Sequence, residues 1–166
     1  VQLAREEGFL AVVGNHDARV LTGRDDPSDL KPGHRVVAES LTKPDWKFLA
    51  ALPTHLRFPE LGTIVVHGGL LPGAKPETQD RDLVINLRSV LPDGTGTKKI
   101  DGTPWAKAWR GPEHVVFGHD AVRGLQQEPF ATGLDTGCVY GKRLTALVMP
   151  GRELVSVPAK RSYADF

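Results

Sequence analysis

An α/β fold is what this sequence predicts, and three observations carry the reading. Three short apolar runs, FLAVVGNH (9–16), TIVVHGG (63–69) and HVVFGHD (114–120), each end in glycine and histidine. Stretches of helical periodicity lie between the first two runs, and beyond Gly118 the chain becomes a series of strands joined by tight turns. Val, Ile and Phe fill both faces of the three runs, as expected of strands covered on both sides by other elements. In such a sheet the functional loops follow the carboxyl ends of the strands, which is where the glycines and histidines fall.

Taken in order, the chain opens with VQLAREEGF, which reads as the last turns of a helix feeding the first strand, so an upstream part is expected to be missing. The run Phe9 to His16 is the first expected strand. HRVVAESL and DWKFLAALP are expected helices, the second with Thr42 as N-cap and Pro44 at an early position where a missing N–H costs nothing. DLVINLRSVL (82–91) is a third expected helix. PDGTGTKKIDGTP (92–104) has the composition of a surface loop or hairpin. WAKAW then forms a helical turn that puts Trp105 and Trp109 on one face, suited to core packing. GLQQEPF, GLDTGCVYG, RLTALVMPG and ELVSVP are expected antiparallel strands. Residues 1–157 form one expected domain, incomplete at its N-terminus, and 158–166 a tail.

The 166 residues suffice for a single core without disulfides. Lys and Arg total 21 against 20 Asp and Glu, so the formal charge of +1 implies no general polyanion-binding face and no duplex nucleic acid partner. A single cysteine, Cys138, excludes an internal disulfide and points to a reducing compartment, the cytoplasm. Cys138 lies between apolar neighbours and reads as a packing residue. No apolar stretch approaches the about 18 residues of a membrane span, so no membrane partner is expected.

Adjacent strand ends would gather Asn15, His67 and His119 around one point, giving two imidazoles and an amide oxygen. Each histidine could equally be a satisfied core residue, but three coincident strand ends favour a metal half-site. That donor set suits Mn, Fe or Zn, whereas Mg or Ca would take oxygen almost exclusively. Gly14, Gly68, Gly69 and Gly118 would relieve crowding there. His34, His55 and His114 have no ligand spacing and read as structural or exposed.

The motifs GNHD, VHGG and FGHD, in this order, resemble the later motifs of the calcineurin-like metallophosphoesterases. Within that superfamily, VVFGHDAVRGLQ followed by GLDTGCVYGKRLTALVMPG is similar to the symmetrical diadenosine tetraphosphatases and their relatives, over roughly Phe9 to Gly151. The resemblance implies a sandwich of two mixed β-sheets flanked by helices, here truncated at its N-terminal part. It implies a metal-dependent phosphatase cleaving phosphoanhydride or phosphoester bonds with two divalent ions, Mn, Fe or Zn, which activate water and stabilise charge during in-line attack.

By the same resemblance Asn15, His67 and His119 are ligands of the second ion, and His16 protonates the leaving oxygen. Asp17 would hold that imidazole protonated or shape the turn. Arg88, in a helix near the metals, would clamp phosphate unless it is merely an exposed helical arginine. Arg123 would meet polyphosphate oxygens unless it is a solvated charge, and Asp135 would orient His119. The family's opening Asp-x-His-Gly and Gly-Asp motifs do not occur before Gly14. At most the second metal site is therefore expected here, and the 166-residue chain alone is expected to be inactive. The implied substrate is a dinucleoside polyphosphate, a polyphosphate or a phosphoprotein. The rival readings are a serine/threonine protein phosphatase, which DTGCVYG disfavours, an endopolyphosphatase, and a non-catalytic remnant.

Overall fold

The structure is a computed structural model, and it describes residues 1–164. Four helices precede the first strand: α1 (Gln2–Glu6), α2 (Asn15–Thr22), α3 (Pro32–Ser40) and α4 (Lys43–Ala50). Strands β1 (His55–Phe58) and β2 (Thr63–Val66) come next, then α5 (Arg81–Val84) and the short strands β3 (Ser89–Val90), β4 (Gly96–Thr97) and β5 (Thr103–Pro104). After α6 (Trp105–Ala108) the chain runs through β6 (His114–Phe117), β7 (Gln126–Glu128), β8 (Ala131–Gly133), β9 (Arg143–Val148) and β10 (Glu153–Pro158). Among the described residues no helix is long and apolar enough to cross a membrane.

The α/β class is as the sequence predicts. The main sheet is mixed, in the order β1-β2-β6-β8-β7, with β2, β6 and β8 parallel and the outer strands antiparallel to their neighbours. The remaining strands form an antiparallel β9–β10 hairpin and a small antiparallel sheet β4-β3-β5 that makes a hairpin of the glycine-rich stretch. The core between the main sheet and α5 and α6 is built on Ile64, Val66, Leu87, Val115, Phe117 and Trp105. Trp105 meets Phe117 edge-on, ring centroids 4.7 Å apart, and its Nε1 donates to the Gly68 carbonyl at 3.0 Å. A Cβ on Gly69 would lie 2.3 Å from that indole nitrogen, so Gly69 is what lets the chain pass the ring. Trp109 is buried beside it, as the shared face predicts.

Three expectations are corrected. Residues 9–14 pair with no strand. Their backbone ties are Phe9 N to Ala4 O and Val13 N to Pro53 O, both at 2.8 Å, and the Gly14 carbonyl that accepts from Ala18 N in α2; although Val13 is fully buried, Phe9 and Leu10 are 57% and 72% exposed. Apolar content had suggested a covered strand, but no sheet edge lies alongside these residues among those described. The expected helix over 82–91 ends at Val84, because the Val84 carbonyl accepts from Gly68 N (3.1 Å) and Gly69 N (2.9 Å), while Ser89 and Val90 join a sheet instead. Finally, GLDTGCVYG is strand only as far as Gly133, and turns occupy the stretch between β8 and β9.

Helix α4 begins as expected. The Thr42 hydroxyl accepts from Asp45 N at 3.4 Å and the Asp45 carboxylate accepts from Thr42 N at 3.1 Å, satisfying two of the donors a helix start leaves open. Arg5 Nε donates to the other Asp45 oxygen at 3.0 Å, fastening α1 to α4. Bonds from the Thr42 hydroxyl and Arg5 hold the Asp45 carboxyl down to about 2, from an ordinary 3.8. A depressed carboxyl contributes stability above its unfolded value and loses it as pH falls through the folded one. Unfolding should therefore become easier between pH 3.8 and about 2, and Asp45→Asn should remove this part of the acid dependence in denaturant titrations. Thr42→Ala should cost about 1 kcal/mol at neutral pH.

Candidate functional site

Parallel pairing of β2 with β6 sets Val65 opposite Val116. The residues just past both strand ends thus emerge side by side, and Gly118 N donates to the His67 carbonyl at 2.9 Å. The imidazoles of His67 and His119 face each other there, centroids 5.1 Å apart. The third element is α2, whose first residue, Asn15, points Oδ1 at His67 Nε2, 2.9 Å away. Asn15, His16, His67, Arg88, His119 and Asp135 all line one cavity of about 350 Å³, with Val122, Val139 and Tyr140 among its other walls. The topology thus brings together the three residues singled out as ligands.

Local backbone detail supports this meeting. Asp17 Oδ2 accepts from Gly14 N at 2.8 Å, so Asp17 shapes the start of α2 and contacts the turn rather than His16. A Cβ on Gly14 would sit 2.9 Å from the His67 ring, so glycine is required for α2 to approach the imidazole this closely. Gly68 is pressed against the backbone around Ile85, whereas a Cβ on Gly118 would meet only the His67 carbonyl oxygen, at an uncrowded 3.8 Å. His119 has φ +66°, the left-handed region, which a non-glycine residue occupies at a cost of order 1–3 kcal/mol when its surroundings impose it.

Burial lowers the pKa of His67, opposed by the carboxylate of Asp17. Burial, then Arg88 and His67, push His119 down to about 4. Two neutral rings result, each with a lone pair for a metal. His119 Nε2 is buried and has no hydrogen-bond partner, which fits a nitrogen built to meet something other than protein. Among the described residues no three His, Cys, Asp or Glu side chains form a metal-holding group, so a three-donor set here would have to include the amide oxygen of Asn15. Two neutral imidazoles and an amide oxygen fit a borderline ion such as Mn, Fe or Zn.

Around this core the other expected residues divide. Arg88 lines the cavity from the loop before β3, not from a helix, and its guanidinium reaches the His119 carbonyl (3.4 Å) and the Lys98 carbonyl (3.0 Å). Asp120, only 3% exposed, sits 3.7 Å from Arg88 Nε. Arg123 is not brought to the cavity. Its guanidinium is taken up by Asp120 (2.5 Å), Ser89 Oγ (2.7 Å) and the Arg88 and Ile100 carbonyls, so it is bonded to protein groups and lies outside the cavity lining. Asp135 lines the cavity, but its Oδ1 accepts from Gly137 N at 3.1 Å and makes no hydrogen bond to His119. Cys138 is half-buried. His114 is buried with Nε2 2.8 Å from Thr132 Oγ1, and His55 lies 4.0 Å from Glu77, both structural as expected.

One residue escaped the sequence. His34 Nε2 lies 2.8 Å from His16 Nδ1, with the rings stacked at 5.0 Å. The only hint was its place in the first turn of a helix opened by Pro32, and the partner helix α2, which begins in the last two residues of the expected strand, was not expected. Burial, then the charges of His16, Arg19 and Lys31, lower the pKa of His34.

The tight fit at Gly14 can be tested directly. Gly14→Ala should displace the His67 ring and destabilise the fold by about 1–3 kcal/mol, as overpacking does. Thermal melting and the His67 imidazole NMR shifts measure this, and an unmoved ring would show that the α2 start is slack.

No protein-family model matches the chain. It is 44% identical over 75 residues to the bis(5'-nucleosyl)-tetraphosphatase PrpE (asymmetrical) of Anoxybacillus flavithermus, covering 43% of this chain and 31% of that protein. It is 32% identical over 113 residues to the enzyme of the same name from Halalkalibacterium halodurans, covering 66% and 45%. The chain thus spans less than half the length of these curated relatives. Both are named asymmetrical, where the sequence motifs resembled the symmetrical enzymes. A crystal structure of a provisionally named diadenosine tetraphosphatase superposes with a TM-score of 0.87 at 40% identity, covering 96% of this chain and 72% of that one. With the fold, the ordered motifs and this relative in agreement, the chain belongs to the diadenosine-tetraphosphatase-like group of metallophosphoesterases.

Proposed function

We propose that this chain carries the second-metal half, the proton donor and one phosphate-binding arginine of a metal-dependent phosphatase acting on dinucleoside polyphosphates. The observation that supports this is the convergence of Asn15, His67, His119, His16 and Arg88 on one cavity, with His119 Nε2 buried and unpaired. Asn15 Oδ1, His67 Nε2 and His119 Nε2 would hold the ion, which supplies Lewis acidity toward a phosphoryl oxygen and lowers the pKa of water.

The chain's own residues do the rest. Arg88, charged at any physiological pH, presents planar N–H groups to phosphate oxygens, and its carbonyl contacts fix it before substrate arrives. His16 is exposed at the cavity wall, where its ring meets an incoming leaving oxygen and hands it a proton. Val122 and Val139, 53% and 45% exposed, give the same region apolar surface. Cytoplasmic placement belongs to this proposal as well, as do hydrolysis of phosphoanhydride or phosphoester bonds and an ion of the Mn, Fe or Zn kind.

A second reading rests on the donor count. One three-donor set fits one ion, so a non-catalytic phosphate-binding role is the alternative for the 166-residue chain, and under that alternative its turnover is negligible. Calorimetric titration with MnCl₂ should give one ion per chain, weakened at least tenfold in both His67→Ala and His119→Ala. Absence of binding, or binding by both variants as tight as that of the unsubstituted chain, removes these residues as the ligand set. Phosphate and nucleotide release from diadenosine tetraphosphate, tripolyphosphate and a phosphopeptide then separates the readings. Chelator-sensitive release from the dinucleotide supports the phosphatase. In that case His16→Asn should slow turnover by about 10²–10⁴-fold while leaving bound metal unchanged.

A further inference from the structure

We infer that Arg123 is a positioning residue that keeps the Arg88 guanidinium available to phosphate by engaging the buried carboxylate of Asp120. The inference rests on the reading of Arg88 as a phosphate-binding residue. Arg123 comes from the turn after β6 and is not itself among the residues lining the cavity. Its guanidinium spans three segments of the chain. Nη1 donates to the Arg88 carbonyl at 3.2 Å and to Asp120 Oδ2 at 2.5 Å, while Nη2 donates to Ser89 Oγ at 2.7 Å and to the Ile100 carbonyl at 3.1 Å. A planar guanidinium serves four acceptors at once, which a lysine ammonium with three donors does not.

The backbone of Arg88 is held from several sides. Its N–H donates to the Thr97 carbonyl at 2.9 Å, and its carbonyl accepts from Trp105 N at 3.2 Å as well as from Arg123. Only the side chain is left to respond to its surroundings. Of its five N–H groups, one on Nη1 goes to the Lys98 carbonyl and one on Nη2 to the His119 carbonyl. Nε is buried without a hydrogen-bond partner and faces Asp120 Oδ1, equally unpartnered, 3.7 Å away. One N–H remains on each terminal nitrogen, a pair suited to two oxygens of one phosphate.

Asp120 is what makes Arg123 necessary. With only 3% of its surface exposed, it needs a cationic partner to stay ionised, and among the described residues Arg123 and Arg88 are the two within reach. Arg123 takes Oδ2, joined there by Gln126 Nε2 at 3.4 Å, so Asp120 does not close on Arg88. The Arg88 charge stays at the cavity wall. Without Arg123 the carboxylate has one cation left. It then closes the gap to Arg88 Nε and neutralises the charge that phosphate would meet.

Two measurements on the metal-free chain test this. The Arg88 Nε–H signal in a ¹H–¹⁵N spectrum, identified by its loss in Arg88→Gln, reads the arginine without any ligand. In Arg123→Gln it should move downfield, as a proton newly bonded to a carboxylate does, and in Arg123→Lys it should stay near the wild-type position. A signal that is unmoved in Arg123→Gln, or broadened by exchange with water as simple loosening would make it, overturns the inference. Calorimetric titration with tripolyphosphate, without the metal that this anion would sequester, should give binding about tenfold weaker in Arg123→Gln. Adding Asp120→Asn to Arg123→Gln removes the competing charge and should restore most of the affinity. A loss that persists undiminished in the double variant overturns the inference, and this variant, which leaves no buried charge unpaired, decides alone if Arg123→Gln does not fold. Tripolyphosphate binding by Arg88→Gln as tight as that of the unsubstituted chain would instead overturn the phosphate reading of Arg88, and the Nε–H signal then decides the pairing by itself.

Discussion

The pairing of β2 with β6 is the constraint on which the rest of the site depends. Parallel strands with Val65 opposite Val116 must release their next residues side by side, and the hydrogen bond from Gly118 N to the His67 carbonyl extends the ladder one step beyond both strands. A one-residue slip would turn His67 or His119 to the opposite face, since successive side chains alternate. The slip is opposed by the core beneath, where Val66, Val115 and Phe117 are buried against Trp105. Removing Val66 or Phe117 from that packing would cost several kcal/mol. The two imidazoles therefore owe their separation to hydrophobic burial in the strands that present them.

Polar organisation spreads outward from the same strand end. Asp120 follows His119 and is nearly buried between two arginines, Arg123 at 2.5 Å and Arg88 at 3.7 Å. A buried carboxylate needs charged partners to stay ionised, and one of these arginines satisfies it closely while the other is held further off. The closer one is thereby committed to structure. The more distant one keeps its guanidinium on the cavity wall.

Much of this was legible in the sequence, and the parts that were not have identifiable causes. Thr42, followed by Pro44 and Asp45, announces a helix start through purely local chemistry, and the structure has it. The runs at 63–66 and 114–117 declare themselves because burial on both faces leaves only apolar residues. Residues 9–14 carry the same apolar signature without a neighbouring strand, and local composition cannot say whether an edge is available. Arg88 was assigned to a helix because 82–91 has helical spacing, whereas the stop at Val84 comes from Gly68 and Gly69, distant in sequence. Asn15, His67 and His119 could be proposed as partners from three similar strand ends. The approach of His34 to His16 depends on how α2 and α3 pack, which no local pattern encodes.

The left-handed backbone of His119 limits how this position can change over evolutionary time. At φ +66° the residues that sit most comfortably are Gly, Asn and Asp, while β-branched and bulky replacements are penalised twice, by conformation and by the loss of the imidazole. Two of the three tolerated replacements, Asn and Asp, bring oxygen donors in place of nitrogen. On the ligand role proposed for His119, drift at this one position would be channelled from borderline transition ions toward harder ones, and metal preference would be retuned without any rearrangement of the strand that presents it.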